Sequence, residues 1–275
     1  ADSHRNRGII PRALGCIFDE IERRGDANYT VSLSMIEVYK EMGYDLLAKE
    51  FGQRKMDELP AVTVTNREGK VHLSAPRKVV ASEEEGLHQY FLGDTHRTVA
   101  ETAHNKASSR SHCIFTVFIE ASDPTTQKIR TSKVQIVDLA GSERLKPYEK
   151  GSQESVALMK EAVSINLSLH WLEAVINALN QGGPVPYRNS FLTKVLQDAL
   201  GGNARAVMLT TLNPSDACLP ETLSCCRFSQ RVANVKTTPI INEELDPQLE
   251  IAGLKQANAE LQAALAANEG DQGEP

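Results

Sequence analysis

The chain has 275 residues, 41% of them hydrophobic and 24% charged, with a formal net charge of −6. That length and apolar content suit one large core rather than two small ones, and the acidic balance argues against general nucleic-acid binding, so an acidic partner must be met by a local basic patch. Five cysteines (Cys16, Cys113, Cys218, Cys225, Cys226) form no CxxC pair and no metal-ligand spacing with histidine, and read as reduced, mostly packed thiols of a cytosolic protein. With no run of 18 apolar residues and no charged-then-apolar leader, the sequence reads as neither membrane-spanning nor secreted.

Residues 1–7 are polar and without pattern. From Gly8, IIPRAL opens a helix in which Ala13, Leu14, Ile17, Phe18 and Ile21 recur at helical spacing. Residues 29–39 (YTVSLSMIEVY) alternate at Val31, Leu33 and Met35 and then continue into Ile36 and Val38, as a strand that becomes buried on both faces would. A charged loop over residues 52–60 precedes a small hairpin, with strands at 61–65 and 71–74 and Glu68-Gly69-Lys70 in its turn. The basic pair Arg77 and Lys78 follows, either as solvated charge or as a partner contact. Ser82 and Glu85 form a capping box that starts a helix carrying Leu87, Tyr90, Phe91 and Leu92. A hydroxyl-rich loop at 105–112 (NKASSRSH) then leads into an apolar strand over 113–119.

The most informative stretch is 134–144, VQIVDLAGSER. Val134, Ile136, Val137 and Leu139 read as a buried parallel strand that ends in a tight loop, which is where open α/β sheets hold phosphates. Asp138, at the carboxyl end of the strand, is placed to hold a magnesium ion or its water. Gly141 lets a backbone N–H approach a terminal phosphate with no Cβ in the way. This loop and the NKASSRSH loop are expected to meet at one sheet edge.

NxxSSRSH followed by DLAGSER resembles the switch I and switch II pair of the kinesin motor domain, and RGIIPRAL resembles the kinesin segment after the P-loop helix. The P-loop motif itself, GxxxxGK[ST], does not occur in the 275 residues. The resemblance implies an α/β, kinesin-like P-loop NTPase fold: a central mixed, mostly parallel sheet flanked by helices, lacking its N-terminal strands and P-loop. Residues 1–235 correspond to a partial motor domain, 236–247 to the neck linker, and 248–275 to a neck helix or short coiled coil with a frayed tail.

The resemblance further implies a microtubule-stimulated ATPase using ATP and magnesium. Ser109 and Asp138 would join the magnesium shell, directly or through water; Ser108 and Asn105 would position phosphate or attacking water; and Gly141 would sense the γ-phosphate. Arg110 and Glu143 would form the salt bridge between the switches. Arg77, Lys78, Arg188 and Lys194 would face tubulin, although for Arg188 and Lys194 an ordinary helix surface is the alternative. A non-catalytic microtubule-binding module is the rival reading, and another P-loop-related ATPase or GTPase a third.

After the switches, residues 165–179 place Ile165, Leu169, Leu172, Ile176 and Leu179 on one helical stripe, like the kinesin relay helix. INLSLHWLE, with Leu167 where a lysine is usual, points toward the ninth kinesin family, of motile cilia and flagella. The segment between Arg144 and Glu161 reads as an extended loop without the usual KTGxxG. Residues 206–212 read as the last apolar core strand and 221–235 as the final motor helix, with Cys225 and Cys226 packed in the core. His96, where the family has Asn, reads as a surface polar substitution. The β-branched residues of 236–242 would dock as an extra strand, with Asn242 at the family's latch position. Ile251, Leu254, Asn258, Leu261 and Leu265 follow a,d,a,d,a spacing that suggests a short parallel coiled coil and a homodimer. In the family, a strand preceding the P-loop lies between the strand ending at Asp138 and that at 206–212, so the chain by itself is expected to be poorly soluble or unstable.

Overall fold

A computed structural model describes residues 7–49, 59–67, 70–103, 110–123, 125–141, 153–247, 251 and 253–262. Helix α1 (Ile9–Arg24) ends at Gly25, whose left-handed backbone (φ 57°) lets its N–H return to the Ile21 carbonyl. Strand β1 (Asn28–Tyr39) is buried along its last nine positions, the two-faced burial expected from its sequence. It turns tightly into β2 (Met42–Asp45), with Lys40 and Glu41 both at positive φ. Then come β3 (Ala61–Val62), the hairpin strands β4 (Val64–Arg67) and β5 (Lys70–Leu73), and β6 (Lys78–Val80). Helix α2 (Glu83–Ala103) begins at the expected cap, the Glu85 N–H donating to Ser82 Oγ and the Glu85 carboxylate accepting from Ala81 N–H.

Two long strands follow, β7 (His112–Asp123), which lies beside β1 in the middle of the sheet, and β8 (Lys128–Asp138). Helix α3 (Gln153–Gln181) follows, then a 3-10 turn at Tyr187–Asn189, the short α4 (Phe191–Val195), α5 (Leu219–Ala233) and β9 (Asn242–Leu245). The strand order is β3-β2-β1-β7-β8-β9, with β6 on the free stretch of β1.

Side-chain parity divides the core. Leu33 and Met35 of β1 and Cys113, Phe115 and Val117 of β7 face one side with Leu14 of α1, where Ile17, Phe18, Leu87 and Tyr90 pack. Val38 and Ile114 face the other side and meet Leu172 of α3 with Leu192 and Val195 of α4. The sheet is therefore sandwiched between α1/α2 and α3/α4, as an α/β fold requires.

Several expectations are corrected. The strand ending at Asp138 is antiparallel to its neighbour and only partly buried, and every ladder among the described strands is antiparallel. β8 follows β7 through a short connection rather than a crossover helix, and beyond Thr131 no described strand covers the outer edge of β8. Residues 206–212 form no strand: Val207 and Leu209 are 89% and 73% exposed, because an apolar segment without a neighbouring ladder has nothing to pair with. Helix α3 begins at Gln153, so part of the expected loop before Glu161 is helical; ESVALMKEA carries no glycine or proline to stop it. On α5, Cys226 is exposed and Cys225 half-buried rather than packed in the core. The extra strand is β9, which starts at Asn242; Ile240 and Ile241 before it are exposed. Residues 251 and 253–262 are helical with Ile251, Leu254 and Leu261 exposed, while Leu265 lies outside the described residues.

Candidate functional site

The antiparallel register brings the described ends of the two loops, residues 110–112 and 139–141, to one end of the sheet. Cys113 of β7 pairs with Asp138 of β8, so the residues entering β7 lie beside those leaving β8, as the sequence implied. Asp138 is on the α2 side of the sheet, where its carboxylate accepts a hydrogen bond from Arg97 Nη1 at 2.9 Å. The guanidinium side chain is only 12% exposed but the carboxylate 67%, so one partner is fixed in the protein and the other is presented to solvent. The same cluster holds Cys113, whose thiol burial pushes up to about 12, in keeping with a packed, unreactive cysteine.

On the opposite side, His112 ties the end of β8 to α3. The Ala140 N–H donates to His112 Nδ1 at 3.0 Å, and His112 Nε2 lies 2.8 Å from Ser168 Oγ. All three residues are buried, and burial drives the imidazole down to about 4. Gly141 is half-buried immediately after this bonded peptide, and Arg110 is half-buried at the entrance to β7. Asn105, Ser108, Ser109 and Glu143 lie outside the described residues, and with them the expected Arg110–Glu143 pair.

Asp138 presents an exposed carboxylate oxygen, a hard donor, at the end of β8. That suits a magnesium ion which keeps most of its ligands from water and substrate. Among the described residues no group of three or more His, Cys, Asp or Glu side chains is placed to hold a metal ion. No helix among them is long and apolar enough to cross a membrane.

The kinesin motor domain is the family whose sequence pattern matches, over residues 1–235. The chain belongs to the kinesin motor-domain family. Kinesin-like protein KLP1 of Chlamydomonas reinhardtii is 40% identical over 267 residues, 96% of this chain and 34% of that protein. Kinesin-like protein KIF9 of Mus musculus is 40% identical over 269 residues, 96% of this chain and 33% of that protein. The chain thus spans about a third of the length of these relatives. Among solved structures, that of a fast kinesin, described for its ATPase mechanism and interactions with microtubules, is 36% identical with a TM-score of 0.76, covering 90% of this chain and 68% of that one.

The basic residues singled out from the kinesin resemblance do not share one face: Lys78, opposite Leu33, is on the α1/α2 side of the sheet, and Lys194 is on α4, on the other side. Arg77 stacks its guanidinium on Phe118, 3.8 Å from the ring centroid, and burial pulls its pKa below the usual arginine value. It lines a small cleft with Ser34, Val71, Leu73, Lys133 and Gln135 beneath the β4–β5 hairpin. Lys78 is half-buried in β6, opposite Leu33. Arg188 is exposed on the 3-10 turn, and Lys194 half-buried on α4. Phe191, at the start of α4, packs its ring on Gly43 while its N–H donates to Glu41 Oε2 at 2.7 Å, pinning this segment to the β1–β2 turn.

Sequence reasoning passed over the contacts of Arg97, His112, Ser168, Lys133 and Asp198. Asp198 Oδ2 accepts from Lys133 Nζ at 2.6 Å and from Val71 N–H at 3.2 Å, joining β8, the hairpin and the segment after α4. The available signal for His112 was its parity with Ile114: an even-numbered strand position faces α3. His96 is no surface substitution; it is half-buried, with Nδ1 2.7 Å from the Leu46 carbonyl oxygen. Asn242 accepts from Asn203 Nδ2 at 2.8 Å, while Asn203 Oδ1 accepts from Ile240 N–H.

Proposed function

We propose that this chain is the nucleotide-sensing and filament-binding part of a microtubule-based motor that couples ATP hydrolysis to microtubule binding and movement. The observation that carries this reading is the junction at the end of β8: Asp138 and the peptide before Gly141 are held, on opposite sides of the sheet, to α2 through Arg97 and to α3 through His112. A change in the position of Gly141 therefore bears on the helix that, by family resemblance, reports to the filament.

In this reading ATP is the substrate, and Asp138 with Ser109 would hold magnesium or its water, which would supply positive charge against the phosphates. Ser108 and Asn105 orient phosphate and the attacking water. The Gly141 N–H approaches the γ-phosphate, and Arg110 closes on Glu143 when it does. Catalysis of this kind needs positioning and fixed charge more than covalent chemistry, which suits polar loops mounted on rigid strands. Arg77, Lys78, Arg188 and Lys194 supply positive charge toward acidic tubulin within a chain of net negative charge. Residues 236–247 act as neck linker, and the exposed Ile251, Leu254 and Leu261 support pairing of two neck helices in a homodimer. Placement in cilia or flagella rests on INLSLHWLE and on the similarity to KLP1 and KIF9.

The test is microtubule co-sedimentation and steady-state ATPase of the full-length protein, with and without Asp138→Ala. Tight binding with a non-hydrolysable ATP analogue, weaker binding with ADP, and loss of microtubule-stimulated turnover in the variant are expected. Microtubule binding that ignores the nucleotide would instead make the protein a non-catalytic binding module.

A further inference from the structure

His112 is a buried polar group that the proposed chemistry does not use, and its bonds cross three elements. Its backbone opens β7, its Nδ1 receives the Ala140 N–H from the segment leaving β8, and its Nε2 reaches Ser168 on α3. These roles are not interchangeable. A backbone N–H can only donate, so Nδ1 must be the acceptor and carry no proton. The ring's hydrogen then sits on Nε2 and donates to Ser168 Oγ. Within this ring, protonating Nδ1 would oppose two donors across 3.0 Å. His112 is 3% exposed, Ser168 3% and Ala140 5%, so water offers no easy replacement for either bond. Among the described residues the charged groups that act on the ring, from across the sheet, are Asp138 and Arg97: burial and the Arg97 charge both favour the neutral imidazole, and burial outweighs the opposing pull of Asp138.

We propose that His112 is a positioning residue, a rigid link through which the peptide immediately before Gly141 and helix α3 are held at one fixed spacing, with Ser168 as the contact on the helix. The link deepens the nucleotide-to-filament reading, and rests on it for what the link is used for. Its geometry is a property of the folded chain alone. An imidazole has no rotatable bond between its two nitrogens. A displacement of the Ala140 peptide must therefore move α3 with it, turn the ring, or break one of two buried hydrogen bonds. The first outcome transmits motion, and the other two are opposed by burial. Ser168 sits four residues before Leu172, which packs in the α3/α4 core, so the contact lies on the inward stripe of the helix.

Hydrogen exchange of the intact protein, read by mass spectrometry, tests the link apart from any activity. In Ser168→Ala the ring loses its helix partner and is free to reorient, and exchange of the Ala140 amide is expected to rise by about ten-fold. Ser168→Thr, which keeps the oxygen, should restore the parent rate. His112→Phe removes the acceptor and should give the fastest exchange. If this variant fails to fold, the serine pair still decides the matter. Unchanged Ala140 exchange in Ser168→Ala, or failure of Ser168→Thr to restore it, overturns the link.

Its use is read from ATPase kinetics of the full-length protein. Ser168→Ala should lower the stimulation of kcat by microtubules several-fold while leaving the KM for ATP in place, and Ser168→Thr should recover it. An equal loss in basal and stimulated kcat would mark a merely structural role and overturn the proposed use. If the parent protein shows no ATPase at all, the motor reading fails while the exchange result stands.

Discussion

Phe191 and Gly43 make a quantitative test of how the α4 segment is attached to the sheet. A methyl group built on Gly43 would stand 2.7 Å from Phe191 Cε1 and 3.1 Å from Cε2, closer still to Cζ, where carbon contacts prefer about 3.5 to 4.0 Å. The ring has little freedom to withdraw, because its own backbone N–H is held by Glu41 at 2.7 Å. Gly43→Ala should therefore destabilise by about 2 kcal/mol, in the range of overpacked sites, less a few tenths recovered from the lower entropy of alanine in a strand. In a Phe191→Ala background the obstruction is gone, and the same Gly43→Ala change should cost nothing or stabilise slightly. The double-mutant cycle, measured by urea unfolding followed by circular dichroism, should give a coupling of about 2 kcal/mol. Equal costs for Gly43→Ala in both backgrounds, within about 0.5 kcal/mol, would refute the contact as the reason for the glycine.

Three other outcomes follow from the geometry. Lys40 holds a φ of 50° in the β1–β2 turn, which an L-residue with a long side chain tolerates poorly; Lys40→Asn should raise stability by about 0.5 to 1 kcal/mol in thermal unfolding, and a drop would contradict it. His112 titrates near 4 when folded, below its ordinary value, so the unfolded chain binds the extra proton; stability should be full above about pH 6.5 and fall by on the order of 3 kcal/mol as pH drops toward 4. Unfolding curves across that window, compared with Ser168→Thr as a variant that keeps the histidine, should show the same slope in both proteins. Asn203→Ala removes the contacts to Asn242 and Ile240, so hydrogen exchange at residues 240–245 should accelerate while that of β7 stays unchanged. High salt should add to the effect by weakening the Lys128–Glu243 and Lys70–Glu244 pairs, and an insensitive β9 would contradict this account.

Much of the framework was legible because it is local. The α2 cap, the two-faced burial of β1 and the β4–β5 hairpin each follow from a few neighbouring residues, and the meeting of the two polar loops followed from motifs in a known order. Pairing direction was not legible: VQIVDLAG has the same apolar pattern whether its neighbour runs with it or against it, and only the partner decides. The expected strand at 206–212 failed for a related reason, since β-branched composition supplies the propensity for a strand but not the ladder. Residues that act across elements, such as Asp198 with Lys133 or His112 with Ser168, are separated by 65 and 56 positions, and nothing in either local window announces the other.

Strand β8 carries Asp138 at one end and the attachment of β9 at the other, eleven residues that span about 34 Å. All eleven are paired with β7. A strand gripped along its whole length cannot creep: a shift of one position would carry Val137 away from the side it shares with Ile114 and break every rung at once. β8 is thus a ruler rather than a piston. Events beside Asp138 cannot arrive at β9 by sliding along it, and must travel around it through the helices. A distance probe between the two ends of β8 should read the same length with and without nucleotide, giving an internal zero against which any travel of β9 can be measured.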